Sequence, residues 1–301
     1  MNRPWDDITR KLRGEVLENE PLSRHTSLKV GGAADLFVIP ADPDDLKLLI
    51  DNVLAARLPY LVIGGGYNLL VRDGGFRGVV ISLARLAEIE ATAEGVVRAG
   101  AGATNGALVR FCTEERLAGL EFLAGIPGTI GGSLAVNAGA HGEALLDRVE
   151  SLETLRDGAP AVTAREALRY GYRHLELAPG EIVIGATFRL AHGEAKAIEE
   201  RIEGFLAHRR QAQRVGLPNA GSFFKNPRGE QAWRLIEAAG MRGARVGGAQ
   251  VAEAHANFLV NRGGATARDF LQLAAEVKAR VLQTSGIRLE EEVRIVGEDG
   301  A

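Results

Sequence analysis

Residues 125–142 read Gly-Ile-Pro-Gly-Thr-Ile-Gly-Gly-Ser-Leu-Ala-Val-Asn-Ala-Gly-Ala-His-Gly, and six of these eighteen are glycine. Glycine costs backbone entropy. It is most useful where φ must be positive or where a ligand approaches the main chain. A run with so little side chain cannot fill a core, but it exposes backbone N–H groups that suit an anion such as a pyrophosphate. Pro127-Gly128 alone is only a turn signal. The apolar residues Ile126, Ile130, Leu134 and Val136 argue against a solvated linker, because they anchor the run inward. The stretch therefore reads as a ligand cradle.

Working outward, a second glycine turn lies upstream. Ala34–Ile39 reads as a strand ended by Pro40, and Asp42-Pro43 opens a helix with Asp42 as N-cap. Leu46, Leu49, Ile50 and Val53 form its buried stripe, and residues 59–63 are a short apolar strand. This β-α-β order is an alternating α/β signature. The strand runs straight into Gly64-Gly65-Gly66-Tyr67-Asn68-Leu69. It is no Walker loop, since Lys-Ser/Thr is missing, and no dinucleotide fingerprint, since no helix opens within the glycines. Together the two turns could wrap a pyrophosphate from two sides.

Elsewhere the spacing predicts a helix over residues 5–18, with Trp5, Ile8, Leu12 and Val16 on one face. A hairpin turns at Glu94-Gly95 and a helix covers Asn105–Glu115. Strands follow at Asp147–Leu155 and Glu181–Leu190, separated by a short helix at Thr163–Leu168 and a loop at 170–173. A charged helix, Glu194–Arg214, leads into a separate C-terminal α/β region from about residue 195. There Gln231–Ala239 and Thr266–Gln283 read as helices, and Ala256–Val260 and Arg288–Val296 as strands.

The chain has 301 residues, a net charge of −3 and one cysteine, Cys112. The charge gives no global reason to expect nucleic acid or an anionic membrane. A lone cysteine excludes an internal disulfide, and Cys112 reads as buried packing. The polar N-terminus carries no secretory signal, no apolar run spans a bilayer, and no metal-ligand motif is present. A cytoplasmic protein without a metal is expected. Three positions stand out chemically. Ser222, between Gly221 and Phe223, has a hydroxyl that would serve as a helix cap. Arg173 follows two tyrosines in a loop. In the terminal strand, alternation sends Glu290 and Glu292 to one face and Glu291 to the other.

Taken in order, these pieces resemble the UDP-N-acetylenolpyruvoylglucosamine reductase family over nearly the full length. His25-Thr26-Ser27-Leu28-Lys29-Val30-Gly31-Gly32 is similar to its leading strand. Gly64–Leu70 and Gly125–Gly142 resemble its two flavin turns, and Tyr172-Arg173 its Tyr-Arg pair. Gly221-Ser222-Phe223-Phe224-Lys225-Asn226-Pro227 is the most specific motif; residues 255–261 and Leu289–Gly297 complete the series. The length resembles the compact type II subtype. Departures are Tyr67 for a common serine, His141 for tyrosine, His174 after Arg173, and Glu291 for a frequent proline.

The resemblance implies an α+β fold. Residues 1–28 are a leading segment, and 29–194 form an FAD-binding domain of the vanillyl-alcohol oxidase (PCMH) type, with lobes of about 29–82 and 83–194. Residues 195–301 form a C-terminal α/β substrate-binding domain. It implies a monomer that uses NADPH and non-covalent FAD to reduce UDP-N-acetylglucosamine enolpyruvate to UDP-N-acetylmuramate for peptidoglycan. Hydride comes from the flavin and a proton from Ser222, with Arg173 and Glu292 completing the catalytic set. Gly64, Gly65, Gly66, Tyr67, Asn68, Leu69, Gly125, Ile126, Pro127, Gly128, Gly131, Gly132, Asn137, Ala138 and Gly139 would hold the cofactor. Lys225, Asn226, Tyr172, Arg210 and Arg214 would hold the substrate. An FAD-dependent oxidase of the same fold is the alternative, although it would need no enolpyruvyl-binding set.

Overall fold

Asp42 and Pro43 start a helix as expected: the Asp42 carboxylate accepts the Asp45 N–H at 2.9 Å, and the helix runs Pro43–Ala55. Its buried stripe of Leu46, Leu49, Ile50 and Val53 packs on Leu36, Val38, Val79 and Ile81. The computed structural model describes residues 5–212 and 215–300. These fall into two compact units that alternate along the chain. The first holds the described residues up to Glu18, with Leu36–Gly65 and Gly78–His208. The second holds Asn19–Asp35, Gly66–Arg77 and the described residues from Arg209 onward. A four-stranded sheet runs in the order Glu15–Pro21, Ala33–Ile39, Phe76–Ser82, Tyr60–Ile63, with its last two strands parallel.

The expected helix over 5–18 is instead a single turn, Asp6–Thr9, followed by the strand Glu15–Pro21. The buried Asp45 carboxylate accepts the backbone N–H groups of Arg13 and Gly14 at 3.0 and 2.9 Å. Gly14 lies flat on Ile39, where a Cβ would meet the carbonyl oxygen at 2.1 Å. Trp5, Leu12 and Val16 do pack against the core, so the apolar spacing was real but was not helical.

The rest of the first unit is built on a five-stranded antiparallel sheet. Its order is Ala159–Ala164, Val149–Arg156, Ile182–Arg189, Val96–Gly100, Ile89–Ala93. The short helix expected at 163–168 is mostly absent. Ala159–Ala164 is the outer strand, held in register from Ser151↔Ala164 to Arg156↔Ala159, and only Arg165–Ala167 makes a 3-10 turn. Beneath the sheet, the helix Asn105–Glu114 buries Leu108, Val109 and Cys112 among Leu134, Phe122 and Phe188. Burial, with Glu121 adding to it, pushes the Cys112 thiol up to about 12, so it is an inert packing group.

The second unit carries an antiparallel sheet ordered Asn219–Ser222, Phe258–Asn261, Ala249–Val251, Arg245–Val246. The helix Ala267–Ser285 packs on it through Phe270, Leu273, Ala274, Val277 and Val281. Thr266 and Asp269 form a capping box at its start, and Gly286 closes it with φ 72°. Leu28, Val30 and Leu70 belong to this core, although they lie far upstream in sequence. Leu69–Val71 pairs in parallel with Arg294–Val296. Only these last three residues of the expected terminal strand 288–296 are strand. Residues 290–292 instead bond the Phe223–Lys225 backbone, so simple alternation does not hold: Glu290 is exposed and Glu292 half-buried. No helix among the described residues is long and apolar enough to cross a membrane.

Candidate active site

In the first unit the two glycine runs meet. Gly64 ends the strand Tyr60–Ile63, and a Cβ built on it would lie 2.5 Å from Thr129 Oγ1 and 3.5 Å from Gly132 Cα. Thr129 caps the six-residue helix Ile130–Ala135, accepting the Gly132 N–H over a long 3.4 Å. Gly131 packs flat on Ala101, where a Cβ would fall 2.7 Å from the alanine Cβ. Gly65, Gly125, Pro127 and Gly132 are exposed, so the run offers backbone rather than side chains to a ligand. Ile126 and Gly128 are half-buried, and Ala138 is buried.

One residue that sequence reasoning missed holds this run in shape. Asn105 is fully buried. Its Nδ2 donates to Ile126 O at 3.1 Å, its backbone N–H donates to Gly128 O at 3.1 Å, and its Oδ1 accepts the Ser133 hydroxyl at 3.0 Å. The only local hint was a polar residue at the first position of the helix, ahead of its apolar stripe. Asn137 also serves the protein: Nδ2 donates to Gly171 O and Oδ1 accepts the Leu146 N–H, at 2.9 and 3.1 Å. What Asn137 can offer a cofactor is its backbone. His141 stacks on Phe205 with ring centroids 4.5 Å apart and meets His208 edge-on at 4.9 Å.

Tyr172 and Arg173 form the two-residue tip of a hairpin paired Gly171↔His174 and Tyr170↔Leu175. Arg173 has φ 54°, a left-handed conformation that costs a non-glycine residue roughly 1–2 kcal/mol. The tip is fastened to the second glycine run, because Arg173 Nη1 donates to Gly139 O at 3.1 Å. The guanidinium also lies 5.5 Å from the centroid of the exposed Tyr172 ring. Strain of this kind persists only where the surroundings enforce it.

In the second unit, Ser222 ends the strand Asn219–Ser222 after a register shift, and Gly221 takes φ 74° to make the turn. Ser222 caps no helix. The next one, Ala232–Ala238, is entered through Gln231, and the Asn226 Oδ1 accepts the Ala232 N–H at 3.0 Å. Among the described residues the Ser222 hydroxyl has no hydrogen-bond partner, and it is half-buried. Glu292 is stitched beside it: the Glu292 N–H donates to Phe223 O at 2.9 Å. Asn68 Nδ2 donates to Glu292 O at 3.1 Å, and Asn68 O accepts the Arg294 N–H at 3.1 Å. The Asn68 amide is thus spent on placing the glutamate. Asn257, 3% exposed, clamps Phe224 from the other side.

Gly66 sits at φ 67° against His25, where a Cβ would meet the carbonyl at 2.0 Å. Ser27 donates to Gly66 O through both N–H and Oγ, at 3.0 and 3.2 Å. This explains why the His25-Thr26-Ser27 motif accompanies the glycine turn. Tyr67 is exposed and Leu69 buried. Lys225 Nζ lies 3.6 Å from Glu290 Oε2 in a solvent-exposed pair, and Arg210 is exposed. Arg214 lies outside the described residues.

Residues 34–162 match a model for an FAD binding domain, and 211–296 match the C-terminal domain of UDP-N-acetylenolpyruvoylglucosamine reductase. The reductase of that name from Geotalea uraniireducens is 65% identical over 288 residues, covering 96% of each chain. The chain belongs to the UDP-N-acetylenolpyruvoylglucosamine reductase family. The family's Geobacter metallireducens member is 64% identical, again over 96% of each chain. The solved Thermus caldophilus structure of this reductase is 34% identical with a TM-score of 0.81, covering 94% of this chain and 99% of that one. An alkyldihydroxyacetonephosphate synthase structure, 17% identical, shares the fold alone at TM-score 0.50 over 64% of this chain and 44% of that one. The fold is accordingly α+β: an FAD-binding domain and a reductase-type C-terminal domain. FAD is the cofactor, and the residues present fit it. Gly64 and Thr129–Gly132 fall within the matched FAD span, and the two runs pack so closely that a Cβ on Gly64 would overlap Thr129 Oγ1, while Gly65, Gly125 and Gly132 stay exposed and offer backbone to the cofactor.

Proposed function

We propose that the chain reduces the enolpyruvyl double bond of UDP-N-acetylglucosamine enolpyruvate, yielding UDP-N-acetylmuramate, with NADPH as the reductant. The chemistry that bound FAD would supply is hydride transfer, from NADPH to the terminal enol-ether carbon. Gly64, Gly65 and the N–H groups of Gly125, Gly128 and Thr129 would hold the pyrophosphate side of the cofactor, since those of Ile126, Ile130 and Gly131 are spent on Leu123, Ala103 and Ala101. Hydride addition leaves an electron pair on the carbon next to the substrate carboxylate. The Arg173 guanidinium stabilises that charge with its fork of donors, and Glu292 orients the same end of the substrate. Ser222 Oγ–H gives its proton to this carbon, completing the new C–H bond, and the serine regains a proton from water. A hydroxyl is a weak acid, but the carbanion is a strong base, so transfer is downhill once geometry is fixed. Lys225, Arg210 and Arg214 serve the substrate phosphates.

The observation that carries this reading is the state of Ser222. Its hydroxyl is held at a bulge, beside the chain of Glu292, and is committed to no helix cap and no protein acceptor among the described residues. Ser222→Ala tests it. Because the hydroxyl has no partner among the described residues, stability should change by less than about 0.5 kcal/mol. Flavin reduction by NADPH in stopped flow should stay near normal. Reoxidation by the enolpyruvyl substrate should slow at least ~10²-fold, the scale of a lost general acid. Ser222→Cys should keep more activity than Ser222→Ala. Near-normal turnover in the alanine variant would remove Ser222 from the mechanism.

A further inference from the structure

The strand Asn219–Ser222 pairs with Phe258–Asn261 only as far as Ser222↔Phe258. Beyond that point its partner turns away, because the Phe258 N–H closes back onto His255 O at 3.0 Å. The backbone of Phe223 and Phe224, both fully buried, would there lose its ladder partners. An unpaired buried peptide group costs about 1–3 kcal/mol, so something must replace the strand. Asn257 does so. Its backbone oxygen accepts the Phe223 N–H at 2.7 Å. Its side-chain Oδ1 accepts the Phe224 N–H at 3.0 Å, and its Nδ2 donates to Phe224 O at 2.8 Å. A carboxamide carries one acceptor and one donor edge, as a peptide group does, and so extends the ladder by one residue.

On the opposite side the same short segment is held by the residues around Glu292. Glu292 N–H donates to Phe223 O at 2.9 Å, Lys225 N–H donates to Glu290 O at 2.9 Å, and Phe224 bridges Glu291. Ser222 is thus continuous with this strip of backbone, Glu292 is bonded to one of its edges, and Asn257 fixes the other. We propose that Asn257 is a positioning residue for the reaction, which sets the Ser222 hydroxyl and Glu292 in mutual register through the Phe223–Phe224 backbone without touching substrate. This rests on the assignment of Ser222 as proton donor. No residue of another type meets the requirement. Aspartate lacks the donor when ionised, leucine lacks both groups, and glutamine is one methylene too long.

Three variants test the proposal, with the two half-reactions followed separately. Asn257→Leu should leave flavin reduction by NADPH within about twofold of normal and slow reoxidation by substrate about 10–100-fold, the cost of a misplacement near 1 Å. Asn257→Asp should be slow when its carboxyl is ionised and should recover as pH falls, since the neutral acid again offers a donor and an acceptor. The titratable neighbours are His255, whose Nδ1 accepts the Asn257 N–H at 3.3 Å, and Glu291 and Glu292 across the Phe223–Phe224 strip. Burial holds the His255 ring below its ordinary value, so it stays neutral at and above neutral pH. In Ser222→Ala the further change Asn257→Leu should slow reoxidation by clearly less than it does in the unmodified enzyme, because only Glu292 is left to position. Thr266→Ala, which removes a remote helix cap in the same unit at similar cost in stability, should keep both rates and so separates positioning from mere destabilisation.

The proposal is overturned by normal reoxidation in Asn257→Leu, by equal losses in both half-reactions, or by full multiplicative slowing in the double variant. If Asn257→Leu does not fold, Asn257→Asp decides: a pH profile parallel to that of the unmodified enzyme overturns the proposal. Normal turnover in Ser222→Ala would instead refute the proton-donor assignment, while the Asn257 single variants would still report whether that residue acts on reoxidation.

Discussion

Gly64→Ala is the smallest change that tests the flavin cradle. The backbone of Gly64 lies outside the left-handed region, so alanine can adopt it, and the only penalty is space. The new Cβ would stand 2.5 Å from Thr129 Oγ1, whereas ordinary van der Waals contact begins near 3.4 Å; the gap must open by about 0.9 Å. Thr129 cannot simply retreat. It caps the helix Ile130–Ala135 and forms a bridge with Thr104. Overpacking costs about 1–3 kcal/mol, and losing the cap about 0.5–2 kcal/mol. If about 2 kcal/mol of this falls on the flavin-bound form, FAD binds roughly 30-fold more weakly, at 1.4 kcal/mol per decade. Titrating apoprotein with FAD and following quenching of flavin fluorescence measures this directly. Removing the obstructing atom should help, so Gly64→Ala with Thr129→Ala should bind FAD better than Gly64→Ala alone. Gly106→Ala is the control, because nothing lies within 4 Å of its Cβ position. Wild-type FAD affinity in Gly64→Ala would refute the cradle.

Arg173→Gly should move stability and activity in opposite directions. Relief of the left-handed arginine should hold or raise Tm, while reoxidation by substrate falls and flavin reduction by NADPH does not; a parallel loss in both half-reactions would assign Arg173 to folding or flavin binding. The Cys112 thiol keeps its proton in the folded state up to about 12, while the unfolded chain loses it near 8.5. Stability from this group is complete below the unfolded value and declines by about 1.4 kcal/mol per pH unit between the two. Thermal melts between pH 8 and 10.5 should therefore fall more steeply for the native chain than for Cys112→Ala, and parallel curves would contradict the buried thiol.

What the sequence determined by itself is what short-range chemistry specifies. Asp42-Pro43 started its helix, Thr266 and Asp269 capped theirs, and a hairpin formed between the strands Ile89–Ala93 and Val96–Gly100. Each depends on partners a few residues apart, so spacing reveals it. The glycine runs were legible for a related reason: a missing Cβ is visible in sequence wherever backbone must pass backbone. Spacing failed where a distant partner overrode a local pattern. Residues 5–18 carry a helical period, but the Asp45 carboxylate, thirty-two residues beyond Arg13, claims the backbone that a helix would have used. Tertiary structure alone placed Leu28, Val30 and Leu70 in the C-terminal core. It also committed the Asn68 amide to Glu292, 224 positions away, and set Asn105 and Asn257 as braces for the backbone of Ile126 and of Phe224. A buried carboxamide is chosen by whichever orphaned peptide group the folded chain brings within about 3 Å. That neighbour has no fixed offset in sequence, so no spacing announces it.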